Sequence, residues 1–219
     1  MNTTDTMLET PYIIIDGLDA SGKSTQVKML RERMERMGRN MVFTREPGGA
    51  PLSEEIRTLF KSELGMNASA LTQSLLNWAA RRNYLEEVAW PALKAGTPIF
   101  SDRGDSSTFA YQIFAKQARE LEEEFWHMRS VIFGDSPPTL YILLDVTPEV
   151  ALERMARDTT RSVVSGFDAE SLDFFQRVYD GFHVFCQNPE VSARMIDGGS
   201  SRDVVHQDIC RVVDKACGW

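Results

Sequence analysis

Short apolar runs alternate with longer amphipathic segments along this chain. The apolar runs read YIIID, MVFT, PIFSD, TLYILLD and ARMID, and the segments between them carry apolar residues at three- and four-residue steps. In the first such segment Val27, Leu30, Met34 and Met37 form one stripe, and Gly38 follows as the expected end of the helix. This alternation predicts an α/β fold in which helices cover both faces of a five-stranded parallel sheet.

The last third of the chain continues the same pattern. Thr147 and Pro148 suit the N-cap and the first helical position, so TPEVALERMARD is predicted to be a helix. A second helix is predicted in AESLDFFQRVYDGF, and a final one from about Ser201. The polar segment TTRSVVSG lies between the first two of these helices and has no clear periodicity. Because the composition does not shift on either side, we predict a mobile loop within a single domain, residues 1–219.

Composition and charge are those of an ordinary globular protein. The chain has 219 residues, 42% of them hydrophobic and 26% charged, and its formal net charge is −8. This charge argues against a general nucleic-acid or anionic-membrane surface, although a few arginines in a cleft can still bind an anionic substrate. No apolar run has the length needed to cross a bilayer, and Cys186, Cys210 and Cys217 lack the spacing of a disulfide or zinc framework. We therefore expect a cytoplasmic protein that binds neither membranes nor nucleic acids.

A phosphate-binding pattern follows the first predicted strand. The stretch GLDASGKS, residues 17–24, matches G-x-x-x-x-G-K-[ST] and leads into a predicted helix. Small residues let backbone N–H groups turn toward phosphate oxygens, while Lys23 can neutralise these oxygens and Ser24 can ligate Mg²⁺. The stretch therefore predicts a nucleoside-triphosphate site, and the alternative is a turn that merely caps a helix. A GTPase is disfavoured because the chain has no NKxD motif, whereas Asp19 needs a substrate hydrogen bond or a cation to offset its repulsion of phosphate.

Charged side chains also follow the second and third predicted strands, at the sheet edge where ligands of α/β proteins bind. Arg45 follows the second strand, and Asp102 and Arg103 end the third. A guanidinium at this edge can grip a second phosphate, and a carboxylate there can hold Mg²⁺. Two alternatives remain open: Arg45 and Glu46 could form a surface ion pair, and Asp102 could cap the following helix.

Several segments resemble the thymidylate (dTMP) kinases, a family of P-loop nucleoside-monophosphate kinases. They are GLDASGKSTQ, FTREPGGAPL, AARRNYLEEVAWPAL, SDRGDSSTFAYQ, LLDVTPEVALERM and ESLDFFQRV, in the family's order, and TREPGG is the most specific of them. The resemblance implies a P-loop NTPase fold with a short lid at about residues 156–168, and ATP-dependent phosphorylation of dTMP to dTDP with Mg²⁺. It also implies a homodimer that packs helices, to which SLLNWAARRNYLEEVAW is expected to contribute.

The resemblance also implies roles for individual residues. The residues expected to bind ATP are Gly17, Ala20, Ser21, Gly22, Lys23, Ser24, Thr25 and Arg154, and those expected to hold the metal are Ser24 and Asp102. The residues expected to bind dTMP are Asp19, Arg45, Pro47, Asn77, Trp78, Arg81, Arg103, Ser107, Thr108, Tyr111 and Gln112. The catalytic residues are expected to be Lys23, Asp19, Arg103, Arg157 and Arg161. The last two are lid arginines, included because Ala20 stands where some members carry a catalytic arginine in the P-loop.

Three departures from the family pattern fall near the acceptor pocket. Asn77 stands where the family usually has a phenylalanine that stacks on thymine, Gly104 replaces a tyrosine or histidine, and IFAKQ replaces a Gly-rich segment. A polar Asn77 and a small Gly104 would suit a larger or more polar 5-substituent, as in 5-hydroxymethyl-dUMP, whereas Trp78 or Tyr84 could instead fill the gap. Further alternatives are dUMP as the acceptor, a non-catalytic nucleotide-binding protein, and a kinase of a non-nucleotide acceptor or of modified DNA.

Overall fold

The structure is a computed structural model that describes residues 10–157 and 172–219. In these ranges the strands are β1 (Tyr12–Asp16), β2 (Val42–Arg45), β3 (Ile99–Asp102), β4 (Leu140–Asp145) and β5 (Ala193–Asp197). They form one parallel sheet in the order β2-β3-β1-β4-β5. The predicted five-stranded parallel sheet is therefore confirmed. Because β1 lies at the centre, the loop that leaves it emerges beside the ends of β3 and β4.

Helices connect the strands and cover the sheet. The described helices are α1 (Lys23–Arg36), α2 (Pro51–Lys61), α3 (Glu63–Met66), α4 (Ala70–Tyr84), α5 (Trp90–Lys94), α6 (Asp105–Thr108), α7 (Glu122–Phe133), α8 (Pro148–Arg157), α9 (Leu172–Gln187) and α10 (Arg202–Cys217), with a short 3₁₀ turn at Arg119–Leu121. None of them is both long enough and apolar enough to cross a membrane. The segment between β2 and β3 contains four of these helices, α2 to α5, whereas its sequence pattern predicts two helical stretches.

The core lies on both faces of the sheet. Alternate residues of β1 serve opposite faces, and all five of its residues are buried. On one face Tyr12 and Ile14 pack in a cluster rich in aromatic rings, which includes Trp78, Phe109, Phe125, Phe133 and Phe185. On the other face Ile13 and Ile15 pack against α1 and α10 through Leu30, Met34, Ile209 and Val213. Burial on both faces explains why β1 is a continuous apolar run without alternation.

The starts of α8 and α10 agree with the sequence pattern, whereas α9 continues past Phe182, the last residue of the predicted segment, to Gln187. Ser201 caps α10 by accepting a hydrogen bond from Val204 N, and Pro148 begins α8. In α1 Leu30 and Met34 are fully buried, whereas Met37 is 47% exposed, so its predicted place in the buried stripe is wrong. The helix ends at Arg36, and Met37 therefore lies beyond the part that packs on the sheet.

Two π-helical segments widen the helical regions of the described chain. Leu85–Ala89 joins α4 to α5, and Phe109–Ala115 continues directly from α6. Every residue of the second segment is buried. Turns of this kind are rare and often occur at functional sites. The second segment carries Tyr111 and Gln112, two of the residues expected to bind the acceptor.

A buried polar group fixes α6 to the rest of the fold. The Asp105 carboxylate accepts hydrogen bonds from Arg129 Nε at 2.9 Å and from the Tyr141 hydroxyl at 2.7 Å. Asp105 is completely buried and Arg129 is 7% exposed. Burial, followed by the nearby Asp105 carboxylate, raises the pKa of Tyr141, so this phenol remains a hydrogen-bond donor. The group ties the start of α6 to α7 and β4.

Removing the carboxylate of this group should destabilise the fold strongly. We expect Asp105→Ala to lower the free energy of unfolding by about 3–5 kcal/mol, because it leaves the buried Arg129 guanidinium without its counter-charge. Urea unfolding followed by circular dichroism measures the change. The matched control is Glu86→Ala, which breaks an ion pair with Arg82 whose side chains are 41% and 51% exposed. That control should lose less than about 1 kcal/mol, and equal losses in the two variants would contradict the prediction.

Candidate active site

A cleft of about 640 Å³ opens at the carboxyl ends of β1, β2 and β3. It brings together most of the residues that the sequence singled out. These are Asp19, Ala20, Gly22, Lys23, Ser24, Thr25, Arg45, Pro47, Asn77, Arg81, Asp102, Arg103, Ser107, Thr108, Tyr111, Gln112 and Arg154. Gly17, Ser21 and Trp78 lie outside the lining of the cleft.

The loop between β1 and α1 is shaped by glycine. Gly17 has φ +143°, and a Cβ atom added there would lie 2.6 Å from the carbonyl oxygen of Leu144. Gly22 has φ +103° and directly precedes α1. Only glycine meets both conditions without strain. The loop therefore delivers Lys23 at the first position of α1, where the backbone N–H groups of the helix N-terminus are directed at the cleft.

Lys23 is folded back onto its own loop. Its Nζ atom donates hydrogen bonds to the carbonyl oxygens of Gly17 at 2.9 Å and Leu18 at 2.7 Å. Burial and, to a smaller extent, the neighbouring Arg103 guanidinium lower the pKa of this ammonium to about 8, against the attraction of nearby carboxylates. The two carbonyl dipoles therefore stabilise the charged form in the free protein, and a phosphate group would be a stronger partner for it.

The two residues expected to hold a metal are neighbours in the structure. The Ser24 hydroxyl donates to Asp102 Oδ2 at 3.5 Å. A hydroxyl and a carboxylate are oxygen donors of the kind that Mg²⁺ prefers, so these residues fit the ion. Within the described ranges, no group of three His, Cys, Asp or Glu residues could hold a metal alone. Substrate phosphates and water would have to complete the coordination. Asp102 does not cap α6, whose N-cap is Gly104, so that alternative is wrong.

Asp16, at the end of β1, was not identified from the sequence as a site residue. Its Oδ1 atom accepts hydrogen bonds from Gly17 N at 2.9 Å, from Ser107 Oγ at 2.9 Å and from Arg103 Nη1 at 3.3 Å. Its Oδ2 atom accepts from Ser106 Oγ at 2.7 Å. Burial raises the pKa of Asp16, while Arg103 and Lys23 oppose that shift. This carboxylate joins the phosphate loop, α6 and Arg103 at a single point.

Arg103 is held from several sides in the cleft. Its Nη1 atom donates to Ser107 Oγ at 2.9 Å, and its Nη2 atom forms an ion pair with Asp19. The Tyr111 hydroxyl donates to the other oxygen of Asp19 at 3.3 Å, and the guanidinium lies over the Tyr111 ring. The Arg103 backbone has φ +72°, a left-handed conformation that is unfavourable for any residue with a Cβ atom. The guanidinium is therefore positioned before any ligand arrives.

Arg45 lies at the end of β2 and lines the cleft. Its ion-pair partner is Glu54 and not Glu46, the partner considered from the sequence. Its Nη2 atom pairs with the Glu54 carboxylate at 2.9 Å, and Glu54 also accepts a hydrogen bond from Gly49 N at 2.9 Å. These contacts lower the pKa of Glu54, the Gly49 N–H most strongly. The surface ion pair between Arg45 and Glu46 is not formed, because Glu46 is turned into the interior. Arg45 itself remains exposed on one side, which leaves it able to contact a ligand.

Helix α2 supplies three cleft residues that sequence reasoning missed: Arg57, Phe60 and Lys61. Arg57 Nη1 donates to the carbonyl oxygen of Pro47 at 2.6 Å. Burial lowers the pKa values of Arg57 and Lys61, and in each case neighbouring guanidiniums add to the effect. Phe60 and Lys61 follow Arg57 by three and four positions, so both lie near Arg57 on the helix surface, and this could be used only once the helix was known to lie beside the cleft. Their charges enlarge the cationic end of the cleft.

The opposite end of the cleft is built on a buried ion pair. Arg81 Nε donates to Glu46 Oε2 at 2.6 Å, with both side chains 2% exposed. Glu46 also accepts from the Tyr12 hydroxyl at 3.0 Å, and Arg81 Nη2 donates to Thr108 Oγ1 at 3.2 Å. Arg81 Nη1 has no hydrogen-bond partner among the described residues. Burial raises the pKa of Glu46 and the Arg81 charge opposes this, so the pair is held together by mutual attraction in a dry environment.

Trp78, Tyr84 and Gly104 have structural roles in the described chain. The Trp78 ring is 2% exposed, lies 4.5 Å from the Arg81 guanidinium and packs against Phe125, so it supports Arg81 from below. Tyr84 is completely buried behind Gly49. A Cβ atom at Gly104 would lie 2.3 Å from the Ile14 side chain. Gly104 also lines the cleft, and glycine there avoids a close contact with Ile14 of the central strand.

The arginines near the predicted lid lie in different surroundings. Arg154 Nη2 donates to the carbonyl oxygen of Gly198 at 2.9 Å, and its Nη1 donates to that of Ser21 at 3.4 Å, at the edge of the cleft. Arg157 is exposed and pairs with Glu153 at 2.5 Å, outside the cleft lining. Arg161 and residues 158–168 of the predicted lid lie outside the described residues.

Comparisons with known proteins bear on this arrangement. A family model described as thymidylate kinase matches residues 15–209. A thymidylate kinase of Bradyrhizobium sp. (strain ORS 278) is 34% identical over 194 residues, which cover 89% of this chain and 85% of that protein. The thymidylate kinase of strain BTAi1 is 35% identical with the same coverage. The crystal structure of thymidylate kinase from Ehrlichia chaffeensis has a TM-score of 0.72 at 25% identity and covers 93% of this chain and 98% of that one. The fold is therefore the P-loop NTPase fold.

The lowered pKa of Lys23 predicts that proton uptake accompanies binding of a nucleoside triphosphate. Near pH 8 the free protein carries the neutral and charged forms of Lys23 in similar amounts, and phosphate oxygens favour the charged form. Binding of magnesium ATP at pH 8 should therefore take up about half a proton per site. Isothermal titration calorimetry in buffers of different ionisation enthalpy measures this number. At pH 6.5 Lys23 is already charged and its contribution should vanish, and equal uptake at both pH values would contradict the assignment.

Proposed function

The chain belongs to the thymidylate kinase family, and we propose that it transfers the γ-phosphoryl group of ATP to dTMP, giving ADP and dTDP. The observation that supports this proposal best is the meeting of Lys23 with Arg45 and Arg103 in one cleft at three strand ends. Lys23 follows the phosphate loop that leaves β1, Arg103 follows the neighbouring strand β3, and Arg45 ends β2 on the far side of β3. This is the arrangement needed to hold two phosphate groups facing each other.

On the donor side we assign the triphosphate to the loop around Lys23. Phosphate oxygens would replace the carbonyl partners of the Lys23 ammonium, and the backbone N–H groups at the start of α1 would bind the same oxygens. Mg²⁺ would be held by Ser24 and Asp102 and would supply charge neutralisation between the phosphates. Arg154 lies at the same edge of the cleft and is assigned to the donor nucleotide.

On the acceptor side we assign the dTMP phosphate to Arg45, Arg57 and Arg103. A phosphate dianion can draw Arg45 away from the exposed Glu54 and shares Arg103 with Asp19. The acceptor oxygen is already nucleophilic, so in-line transfer needs no covalent enzyme intermediate and no strong general base. Arg103 lies between the two phosphate sites and stabilises the charge that shifts from the γ-phosphoryl group to ADP.

The base is assigned to the end of the cleft formed by Arg81 and its neighbours. Arg81 is fixed by Glu46, Thr108 and the Trp78 ring, so a donor group is held rigidly at this end. The two relatives and the solved structure compared above bear the name thymidylate kinase, and no observation favours dUMP, 5-hydroxymethyl-dUMP or a non-catalytic role over dTMP phosphorylation. The packing of Ile14 accounts for Gly104 without a larger 5-substituent, and Asn77, the other residue that suggested one, is hydrogen-bonded to Gln112.

Removing Arg103 tests the proposed transfer directly. We expect Arg103→Ala to lower kcat for dTMP by about 10²–10³, because the charge that bridges the two phosphates is lost. A coupled assay of ADP release measures the rate, and circular dichroism checks that the fold is retained. The control is Arg36→Ala on the exposed end of α1, which should keep normal turnover. Near-normal turnover in Arg103→Ala would refute the proposed role, and no ADP release with dTMP in the unaltered protein would refute the proposed function.

We also propose that the protein is a homodimer. Five exposed leucines lie on the consecutive helices α2, α3 and α4, with exposures between 47% and 80%. This leucine patch consists of Leu52, Leu59, Leu64, Leu71 and Leu75. Helix α2 contacts both α3 and α4, so the five leucines lie on neighbouring helices, and a two-fold pairing of this surface with itself would cover them in both copies. A second copy is the favoured partner because the other large exposed apolar residues in the described ranges are spread over several elements, with at most two of them, Leu172 and Val184 of α9, on the same one.

Charge placed in the leucine patch should separate the copies. We expect the unaltered protein to have twice the 24.8 kDa mass of one chain, and the double variant Leu71→Glu, Leu75→Glu to have that mass once. Size-exclusion chromatography with light scattering measures both. The matched control is Val204→Glu on α10, a residue with a similar exposure of 45%, which should leave the mass unchanged. A double variant that keeps the mass of two chains would exclude this surface as the interface.

We also propose a cellular location and a class of binding partner for the protein. All three cysteines are free thiols, which fits the cytoplasmic location that we propose. The partners that we propose are small nucleotides, since the net charge of −8 opposes binding to a nucleic-acid polymer.

A further inference from the structure

Helix α4 presents a stripe of polar side chains to the protein interior. Gln73, Asn77 and Arg81 are spaced four residues apart, so they lie on one face of the helix. Their exposures are 0%, 7% and 2%, and they face Gln112 and Thr108 of the neighbouring helical segment. Buried amides are retained in a core only where they are hydrogen-bonded. Gln73 does not line the cleft, whereas Asn77, Arg81 and Gln112 do.

The amide side chains of Gln73, Gln112 and Asn77 form a chain of hydrogen bonds that ends at the cleft. We call this chain the relay. Gln73 Nε2 donates to the backbone carbonyl oxygens of Gly65 at 2.8 Å and Met66 at 2.9 Å. Gln73 Oε1 accepts from Gln112 Nε2 at 3.4 Å, and Gln112 Oε1 accepts from Asn77 Nδ2 at 3.3 Å. Asn77 Oδ1 has no hydrogen bond among the described residues and is not fully covered. The relay therefore leaves one acceptor atom at its cleft end.

The direction of this relay is set at its far end. A backbone carbonyl can only accept, so the two carbonyls of Gly65 and Met66 require the NH₂ group of Gln73 to face them. The Gln73 oxygen must then face Gln112 and take a donor from it. The Gln112 oxygen in turn faces Asn77 and takes the NH₂ group of that residue. If one amide alone exchanged the positions of its oxygen and nitrogen, two donors or two acceptors would face each other. Buried polar groups would then be left unpaired.

We propose that Gln73 is a positioning residue that sets the base specificity of the acceptor site through this relay. It holds Asn77 with its oxygen toward the cleft, next to Arg81, which can only donate. An acceptor beside a donor matches the N3–H and 4-carbonyl of thymine, and it opposes the ring nitrogen and 4-amino group of cytosine. The inference rests on the proposed function, since it concerns the dTMP site of that reaction. It assigns base selection in part to a side chain that does not touch the substrate.

The test compares dTMP with dCMP in the unaltered protein and in Gln73→Met. We expect the unaltered protein to favour dTMP by at least about 10³ in kcat/KM, because the wrong base leaves buried polar groups unpaired. Gln73→Met removes the anchor, so Gln112 and Asn77 can reverse together. The dTMP/dCMP ratio should then fall about tenfold or more, chiefly because dCMP becomes a better substrate. A relay that is merely structural would lower both rates together and leave the ratio unchanged, which would overturn the inference.

Two further variants separate the relay from general damage. Adding Asn77→Asp to Gln73→Met should restore the preference for dTMP, because both oxygens of a carboxylate accept and reversal changes nothing. Asn77→Leu leaves Gln73 and its carbonyl anchors in place and should lower the ratio by a similar factor, so the test does not depend on Gln73→Met folding. Failure of the double variant to restore the ratio, or an unchanged ratio in Asn77→Leu, would also overturn the inference.

The matched control is Gln26→Met. Gln26 is 3% exposed, and its amide is likewise used at both ends, by the carbonyl of Arg202 and by His206, but it lies outside the cleft lining. We expect this variant to lower the melting temperature without changing the dTMP/dCMP ratio in kcat/KM. A changed ratio would mean that loss of any buried amide alters base preference, and it would overturn the inference. A protein that uses dTMP and dCMP equally well would refute the inference alone, whereas one that uses neither would refute the proposed function.

Discussion

The arrangement of the cleft depends on the buried carboxylate of Asp16. It lies where the central strand ends, and its four hydrogen bonds come from the phosphate loop, from two serines of α6 and from Arg103. A buried carboxylate is stable only when it is paired and hydrogen-bonded. Satisfying this one group therefore fixes the relative positions of the donor loop and of the arginine that faces it. Asp105, two residues beyond Arg103, anchors the same helix to α7 and β4.

Helix α4 contributes both to the proposed base-reading relay and to the proposed dimer surface. Its inner face carries the polar relay and Arg81, while its outer face carries Leu71 and Leu75 of the leucine patch. Both faces are specified by the same four-residue spacing. A partner chain on the outer face would restrain the helix that holds the base-reading residues, so assembly and specificity would share one structural element.

The sequence was sufficient for the fold and for the position of the site. Continuous apolar runs predicted a sheet buried on both faces, and parallel strands necessarily bring Lys23, Arg45 and Arg103 to one edge. Pairings inside the cleft were not predictable, because they depend on which side chains meet across different elements. Glu46 was considered a surface partner of Arg45, yet it is buried against Arg81, which lies 35 residues away in sequence. Arg57 was missed because its distance from the phosphate loop becomes short only once α2 is folded over the cleft.

The backbone conformation of Arg103 carries a cost in conformational free energy. Its left-handed conformation is one that glycine adopts freely and that disfavours a side chain by about 1–3 kcal/mol. The backbone conformation alone would therefore favour glycine at this turn. The chain instead keeps a long charged residue there and stabilises it through Asp16, Asp19 and Ser107. Position 103 is thus a point where backbone preference and reactivity are in opposition, and a design that replaces left-handed residues by glycine to relieve backbone strain would remove the residue placed to do the chemistry.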